Sequence, residues 1–162
     1  MTQPSLTLSS TVERWPIAGS FGISRGVKTE AVVVVAELAD GKARGRGECV
    51  PYLRYGETVE SVTAQIEGLR PQIEAGLDRR TLQSAMPPGA ARNALDCALF
   101  DLEAKRAGCP AHVIAGLPAP RPLVTAYTIS LGTPGDMAAA ARAAARRVLK
   151  VKLGAPGDAE RL

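Results

Sequence analysis

In this chain of 162 residues, two lysines separated by a single residue have a type and a spacing that could do chemistry. They lie in the segment 149–153 (LKVKL), where polar and apolar residues alternate as on a β-strand, so Lys150 and Lys152 share one face. The simplest interpretation is a half-exposed strand with a solvated lysine face. In a water-excluded site, two ammonium groups disfavour each other's charge, and a lysine that releases its proton more readily can remove a proton from carbon.

The stretch 45–57 (GRGECVPYLRYGE) is dense in glycine, tyrosine and charge. It does not fit a dinucleotide-binding loop, because Val50 stands where the third glycine of Gly-x-Gly-x-x-Gly would be and no helical pattern begins there. By itself it is typical of a surface loop between a sheet and a helix. His112 has no other metal-ligating residue types near it in sequence except Cys109, so a packed or surface histidine is favoured over a ligand.

Composition indicates a folded chain of ordinary globular character. Hydrophobic residues make up 46% and charged residues 22%, with a formal net charge of +4. The longest apolar run, 31–36, is too short for a membrane span, and the N-terminus lacks a signal-peptide pattern, so a cytoplasmic protein is expected. Three cysteines favour reduced thiols over a disulfide framework, and basic residues interspersed with acidic ones argue against nucleic-acid binding.

The elements that must position these residues begin with strands. A Ser/Thr-rich segment around Leu6 and Leu8 is followed by the β-branched run 32–35, an Asp-Gly turn at 40–41 and a further strand at 42–48. This pattern predicts a small antiparallel sheet. Apolar spacing then predicts a helix over 57–75, ending or bending near Pro71, and a second helix between Pro88 and Gly108. Sheet followed by helices predicts an α+β domain over residues 1–120.

The remaining residues, 121–162, predict one β-α-β unit. A proline-rich connector at 117–122 leads to a strand at 123–131, a helix over 137–147 with Thr133 as its N-cap, and a strand at 148–154. Such a unit is the building block of a β/α barrel, which needs about 250 residues when complete. The sequence therefore predicts the start of an incomplete barrel.

Three segments in the same order, 45–57, 90–102 (AARNALDCALFDL) and 149–153, together resemble the dipeptide epimerases of the muconate lactonizing subgroup of the enolase superfamily. The similarity extends over residues 15–162. It implies an α+β capping domain followed by a β/α barrel, and epimerisation of dipeptides such as Ala-Glu at the α-carbon of the C-terminal residue. The reaction is a 1,1-proton transfer in which Mg²⁺ stabilises an enediolate.

The resemblance also implies site residues. Lys152 matches one of two bases that flank the α-carbon, and Lys150 matches a lysine that assists electrostatically. The segment 21–26 resembles a mobile loop that closes over the substrate, in which Arg25 matches an arginine that binds a carboxylate. Thr128 matches a threonine near the substrate carboxylate. The metal ligands and the opposing lysine are expected beyond Leu162, so a chain of this length is expected to be inactive alone.

The sequence departs from the family pattern between the last helix and the lysine strand. Residues 143–148 (AAARRV) lack the usual glycine-containing turn, so the helix must end early or the strand must start higher. Four helix residues of the family signature are interpreted as structural: Arg92, Asn93, Asp96 and Asp101.

Two alternatives stay open. One is another enzyme of the subgroup: a muconate cycloisomerase, an o-succinylbenzoate synthase or an N-acylamino acid racemase. The other is a non-catalytic interaction module that acts through the surface of the capping domain. The apolar face of the lone β-α-β unit would then promote self-association into a homo-oligomer.

Overall fold

The computed structural model describes residues 6–162, apart from the side chain of Ser20. The strands are β1 (Thr7–Ile23), β2 (Gly26–Ala39), β3 (Arg44–Cys49), β4 (Tyr127–Ile129) and β5 (Leu149–Val151). The helices are α1 (Val59–Glu74), α2 (Arg79–Ala85), α3 (Ala90–Ala107), α4 (Ala111–Ile114) and α5 (Pro134–Ala144). Short 3-10 turns span Leu53–Tyr55 and Ala159–Arg161.

The first three strands form one sheet in the order β1-β2-β3. Strands β2 and β3 are antiparallel, in a register that runs from Val34 opposite Cys49 to Ala39 opposite Arg44. Asp40 closes the hairpin, because its Oδ1 accepts hydrogen bonds from the backbone N–H groups of Lys42 and Ala43. The Asp-Gly turn signal is thereby confirmed.

The apolar face of this sheet packs against helices. Its core is made of buried aliphatic side chains that recur at strand and helix spacing: Leu8, Val34, Ala36, Leu38, Val62, Ile66, Leu69, Ile73, Leu95, Leu99 and Leu102. Helix α3 approaches β3 closely at Gly45 and Gly47, where a Cβ would lie within 2.2 Å of the backbone of the helix. Glycine is therefore required on this face of β3.

Helix α1 begins and ends as local chemistry dictates, with one difference from the sequence prediction. Thr58 caps its N-terminus in a reciprocal pair of hydrogen bonds with Ser61. The helix runs through Pro71 to Glu74, so of the two outcomes expected at Pro71, an end or a bend, the end does not occur. The proline lacks an N–H to donate to the carbonyl of residue 67, and because it lies in the last turn only three residues of the helix follow it.

Helices α2 and α4 are absent from the sequence prediction. Helix α2 has seven residues, is capped by Asp78 and buries only Leu82, while α4 has four residues and buries none. Neither contains enough apolar positions to produce a helical period.

Contacts between Cα atoms divide the chain into two compact units. Of the described residues, the first comprises 6–14 and 32–120, and the second comprises 15–31 and 121–162. The second unit contains the parallel pair β4 and β5 together with α5. The predicted α+β sheet-and-helix arrangement with a partial β-α-β unit is confirmed. Among residues 6–162, every helix is too short or too polar to cross a bilayer.

Candidate active site

The two lysines lie on and just after β5, in a parallel ladder with β4. Thr128 pairs with Lys150 in the register, and the Lys152 N–H donates to the carbonyl of Ile129 at 3.1 Å. The alternation of side chains along a strand favours a common face for Lys150 and Lys152. Lys150 and Thr128 differ in exposure: Lys150 is exposed, whereas Thr128 is half-buried, as is Lys152.

Strands β4 and β5 pair in parallel although the connection before β5 lacks the glycine-containing turn, because helix α5 ends early. The helix begins at the cap Thr133, as predicted, but stops at Ala144 instead of continuing to residue 147. Ala145 ends it in the left-handed conformation, with φ of +46°, a conformation that glycine adopts at far lower cost. Both flanking strands are also shorter than expected, since only 127–129 and 149–151 pair.

The tip of the β1–β2 hairpin lies against the residues that follow β4 and β5. The carbonyl of Gly22 accepts a hydrogen bond from the N–H of Leu131 at 3.1 Å. A Cβ on Gly22 would come within 2.8 Å of the Leu131 carbonyl oxygen, and a Cβ on Gly154 within 2.9 Å of the Ser24 side chain. The resemblance assigned a substrate-closing role to this segment, and here it is docked through two close glycine contacts.

The segment after β5 is held in place by one arginine and one aspartate. Asp158 accepts from the N–H of Gly154 at 2.7 Å, and Arg161 donates to the carbonyls of Gly132 at 2.9 Å and Pro156 at 2.7 Å. The loops that follow β4 and β5 are thus cross-linked by hydrogen bonds. The tip of the β1–β2 hairpin packs against these two loops.

Two side chains of the tip differ in what they contact. Arg25 lies in the turn between β1 and β2 and is exposed, together with Ser24. Phe21 is half-buried and places its ring 5.7 Å from the Nζ of Lys152. The resemblance predicts a loop over 21–26, whereas residues 21–23 belong to β1 and residue 26 to β2. It assigns no role to Phe21, since nothing in the local pattern indicates a contact with a residue 131 positions later.

The stretch 45–57 has a structural explanation. Glu57 accepts a hydrogen bond from the N–H of Ala90 at 2.6 Å and another from the N–H of Tyr52 at 3.2 Å. One carboxylate therefore holds the loop and caps the N-terminus of α3, where the helix dipole favours negative charge. Residues 45–49 of the stretch belong to β3, so only residues 50–57 form the expected connection between sheet and helix.

The helix residues interpreted as structural make structural contacts. Asn93 donates to the carbonyl of Glu48, Arg92 donates to the carbonyl of Met86, and Asp96 accepts from Gln83. Asp101 accepts from the backbone of Arg46. In residues 6–162, no group of three or more His, Cys, Asp or Glu residues is placed to hold a metal ion.

Comparison with known proteins agrees with this architecture. A family profile described as the N-terminal domain of mandelate racemase / muconate lactonizing enzyme matches residues 5–116. The chain belongs to this family. The match includes the first two of the three motifs, 45–57 and 90–102, and is in agreement with the resemblance that they indicate.

Its relatives include several dipeptide epimerases. The L-Ala-D/L-Glu epimerase of Escherichia coli (strain K12) is 49% identical over 144 residues, which cover 87% of this chain and 45% of that protein. A crystal structure from Agrobacterium tumefaciens, of an enolase family member with homology to dipeptide epimerases, was solved with sodium and L-Ala-L-Glu. It is 54% identical with a TM-score of 0.91, covering 96% of this chain and 48% of that one.

A third relative was solved with a metal ion and a substrate. The dipeptide epimerase of Methylococcus capsulatus, complexed with Mg and L-Arg-D-Lys, is 31% identical with a TM-score of 0.83, covering 97% of this chain and 49% of that one. The chain thus spans about half the length of each of these relatives.

Proposed function

We propose that this chain supplies the substrate-closing hairpin and one proton-transferring lysine of a dipeptide epimerase, acting on the C-terminal residue of dipeptides such as Ala-Glu. The observation that carries the proposal is the position of Lys150 and Lys152 at the carboxyl end of a parallel strand pair. Active sites of β/α barrels lie at that end of the strands. The docked hairpin tip and the epimerase relatives support the same function.

In this proposal Lys152 is the base that removes the α-proton. Its amine, in the neutral form, takes the α-proton of the C-terminal residue, and a base on the opposite face of that carbon returns a proton, which inverts the centre. Lys150 shares the face of Lys152 and, as a cation, favours negative charge developing on the substrate carboxylate. No residue of this chain is proposed for the opposing base.

Arg25 and Thr128 are the residues for binding. The planar guanidinium of Arg25 suits a carboxylate, in this proposal one of the glutamyl residue. Thr128 pairs with Lys150 across the ladder and has a hydroxyl that can donate to the other carboxylate.

Cytoplasmic localisation and homo-oligomerisation stay predictions that accompany this proposal.

Magnesium is part of the proposal because a related dipeptide epimerase was solved with Mg and a dipeptide. Bound Mg²⁺ supplies positive charge next to a carboxylate whose α-proton is being removed. The described residues of this chain do not fit the ion by themselves, since no three candidate ligands lie together. The roles assigned to this chain are therefore limited to proton transfer, substrate binding and closure.

A chimera tests the proposal. Residues 1–162 are joined to the part of the Escherichia coli epimerase that follows its matched half, and the chimera is incubated with Mg²⁺ and L-Ala-L-Glu in D₂O. We expect the glutamyl α-proton to exchange for deuterium and L-Ala-D-Glu to form. Lys152→Ala should lower the exchange rate by at least about a hundredfold, the usual contribution of a general base.

Lys42→Ala is the matched control, because Lys42 is an exposed lysine of the β2–β3 turn. It should exchange at the rate of the unsubstituted chimera. A folded chimera that does not exchange the α-proton, or a Lys152→Ala variant that retains full exchange, would contradict the proposed function.

A further inference from the structure

The ammonium group of Lys152 faces an aromatic ring. Its Nζ lies 5.7 Å from the centroid of the Phe21 ring, inside the roughly 6 Å over which an aromatic face attracts a cation. Both side chains are half-buried, which reduces screening of this attraction by water. Within residues 6–162, no carboxylate forms an ion pair with this ammonium.

The ring is held there by backbone contacts on its C-terminal side. Gly22 follows Phe21 directly and receives the Leu131 N–H at 3.1 Å. Ser24 packs against Gly154, two residues after Lys152, with no room for a Cβ on the glycine. The hairpin tip that carries Phe21 and the segment that carries Lys152 are therefore held by these two contacts, which together are called the latch.

We propose that Phe21 is a positioning residue for Lys152: in the docked hairpin its ring faces Nζ and favours the positive charge that Lys152 gains as it takes the α-proton, so that docking of the tip and placement of the base are one event. The proposal rests on the proposed function, in which Lys152 is the base. The long lysine side chain can adopt many rotamers, and the ring supplies a directional contact that selects among them. When the tip leaves the strand ends, the ring leaves with it.

This arrangement couples substrate closure to proton transfer. Arg25 lies four residues from Phe21 on the same tip, so a carboxylate bound by Arg25 favours the position in which Phe21 contacts Lys152. An aliphatic side chain of similar size at position 21 would fill the space without attracting the cation. Tyrosine would keep the ring face.

The contact is measurable on the chain itself by nuclear magnetic resonance, without turnover. A proton above an aromatic face is shifted upfield by the ring current, so the ε-methylene signal of Lys152 should lie upfield of that of Lys42 in protein labelled with ¹³C-lysine. Lys152→Met assigns the signal. Phe21→Leu should move the Lys152 signal to the position of the Lys42 signal, and Phe21→Tyr should leave it upfield.

Either of two results would overturn the positioning role: a Lys152 signal that coincides with the Lys42 signal in the unsubstituted chain, or one that stays upfield in Phe21→Leu. The Leu131 amide signal reports whether the latch persists in each variant. Val27→Leu is the control on the same hairpin, since Val27 is 68% exposed, and it should leave the Lys152 signal in place.

The chimera separates positioning from packing. Phe21→Leu should lower kcat on the order of tenfold, since small misplacements of a catalytic group are costly, with a smaller change in KM, and Phe21→Tyr should restore kcat. An unchanged kcat in Phe21→Leu would contradict the role. An upfield Lys152 signal together with a folded chimera that does not exchange would refute the proposed function instead.

Discussion

The carboxylate of Asp101 accepts a hydrogen bond from the backbone N–H of Arg46 at 2.9 Å. Arg46 lies on β3, an edge strand of the three-stranded sheet, and Asp101 lies on α3, which packs along it. Two turns earlier on the same helix, Asn93 donates to the carbonyl of Glu48 at 3.1 Å. Helix α3 therefore satisfies backbone groups that an edge strand leaves unpaired, which removes a site for pairing with another strand.

Removing this carboxylate should destabilise the fold although it lies mid-helix, where alanine is the better helix former. We expect Asp101→Ala to lower the free energy of unfolding by about 1 kcal/mol, the net value of the hydrogen bond to Arg46. The i,i+4 ion pair of Asp101 with the exposed Lys105 adds only about 0.3–0.5 kcal/mol to this loss. Urea unfolding measures it. Asp96→Ala, on the same helix and bonded only to the exposed amide of Gln83 among the contacts described, is the control and should cost less. Equal losses would show that the contact with β3 adds nothing.

The glycines of β3 give a second prediction. A Cβ on Gly47 would lie 2.1 Å from the carbonyl oxygen of Ala94 and 2.6 Å from the N–H of Ala98, both helix backbone atoms that cannot rotate away. Gly47→Ala should therefore cost more than about 3 kcal/mol, the upper range of ordinary overpacking, or prevent folding. A thermal unfolding scan or the yield of folded protein measures this.

Gly68→Ala is the control for Gly47→Ala. Gly68 lies in α1, where an added Cβ meets open space, so alanine should stabilise the chain by about 0.5–1 kcal/mol. Opposite signs for the two substitutions are the expected result. A small effect at Gly47 would mean that α3 does not lie as close to β3 as described.

Local patterns explain why part of the fold could be predicted from the sequence. Val62, Ile66, Leu69 and Ile73 recur at helical spacing and all are buried, and Asp40 closes the turn that its dipeptide with Gly41 indicates. Helix α2 could not be predicted because Leu82 is its only buried residue. Periodicity identifies an element only when burial repeats along it.

Part of the candidate site could likewise be predicted from local sequence, and part could not. The common face of Lys150 and Lys152 follows from strand alternation, which depends on neighbouring residues alone. The contact between Phe21 and Lys152 depends on how a hairpin docks onto strand ends far along the chain, and no local pattern encodes it. The early end of α5 at Ala144 was one of two outcomes left open by the missing glycine.

Ala145 provides a third prediction, because it adopts φ of +46° at the end of α5. A left-handed conformation costs a residue with a Cβ about 1–2 kcal/mol, partly offset by the greater freedom of glycine in the unfolded chain. Ala145→Gly should therefore stabilise the chain by about 0.5–1 kcal/mol. Ala139→Gly, at an exposed position inside the same helix, should instead cost about 1 kcal/mol. Amide hydrogen exchange of α5 distinguishes the two, and a loss of protection in Ala145→Gly would contradict this account.

Acid stability should depend on Asp40. Hydrogen bonds from the backbone N–H groups of Ala43 and Lys42, and then from Arg106, lower the pKa of this carboxyl group from 3.8 to about 2. A lowered pKa in the folded state means that the charged carboxylate stabilises the fold fully above pH 3.8, and that this contribution is lost as the pH falls through about 2. Asp40→Asn keeps an oxygen that can accept from both N–H groups but carries no charge.

We therefore expect Asp40→Asn to be less stable than the unsubstituted chain near neutral pH, and the difference between their urea midpoints to shrink as the pH falls through about 2. Because the largest causes are short backbone hydrogen bonds and not distant charges, added salt should leave most of the difference at neutral pH. A difference that persists unchanged below the lowered pKa would assign the stabilisation to the shape of the aspartate side chain. One that disappears in salt would assign it to the exposed guanidinium of Arg106, which is 2.6 Å from the carboxylate.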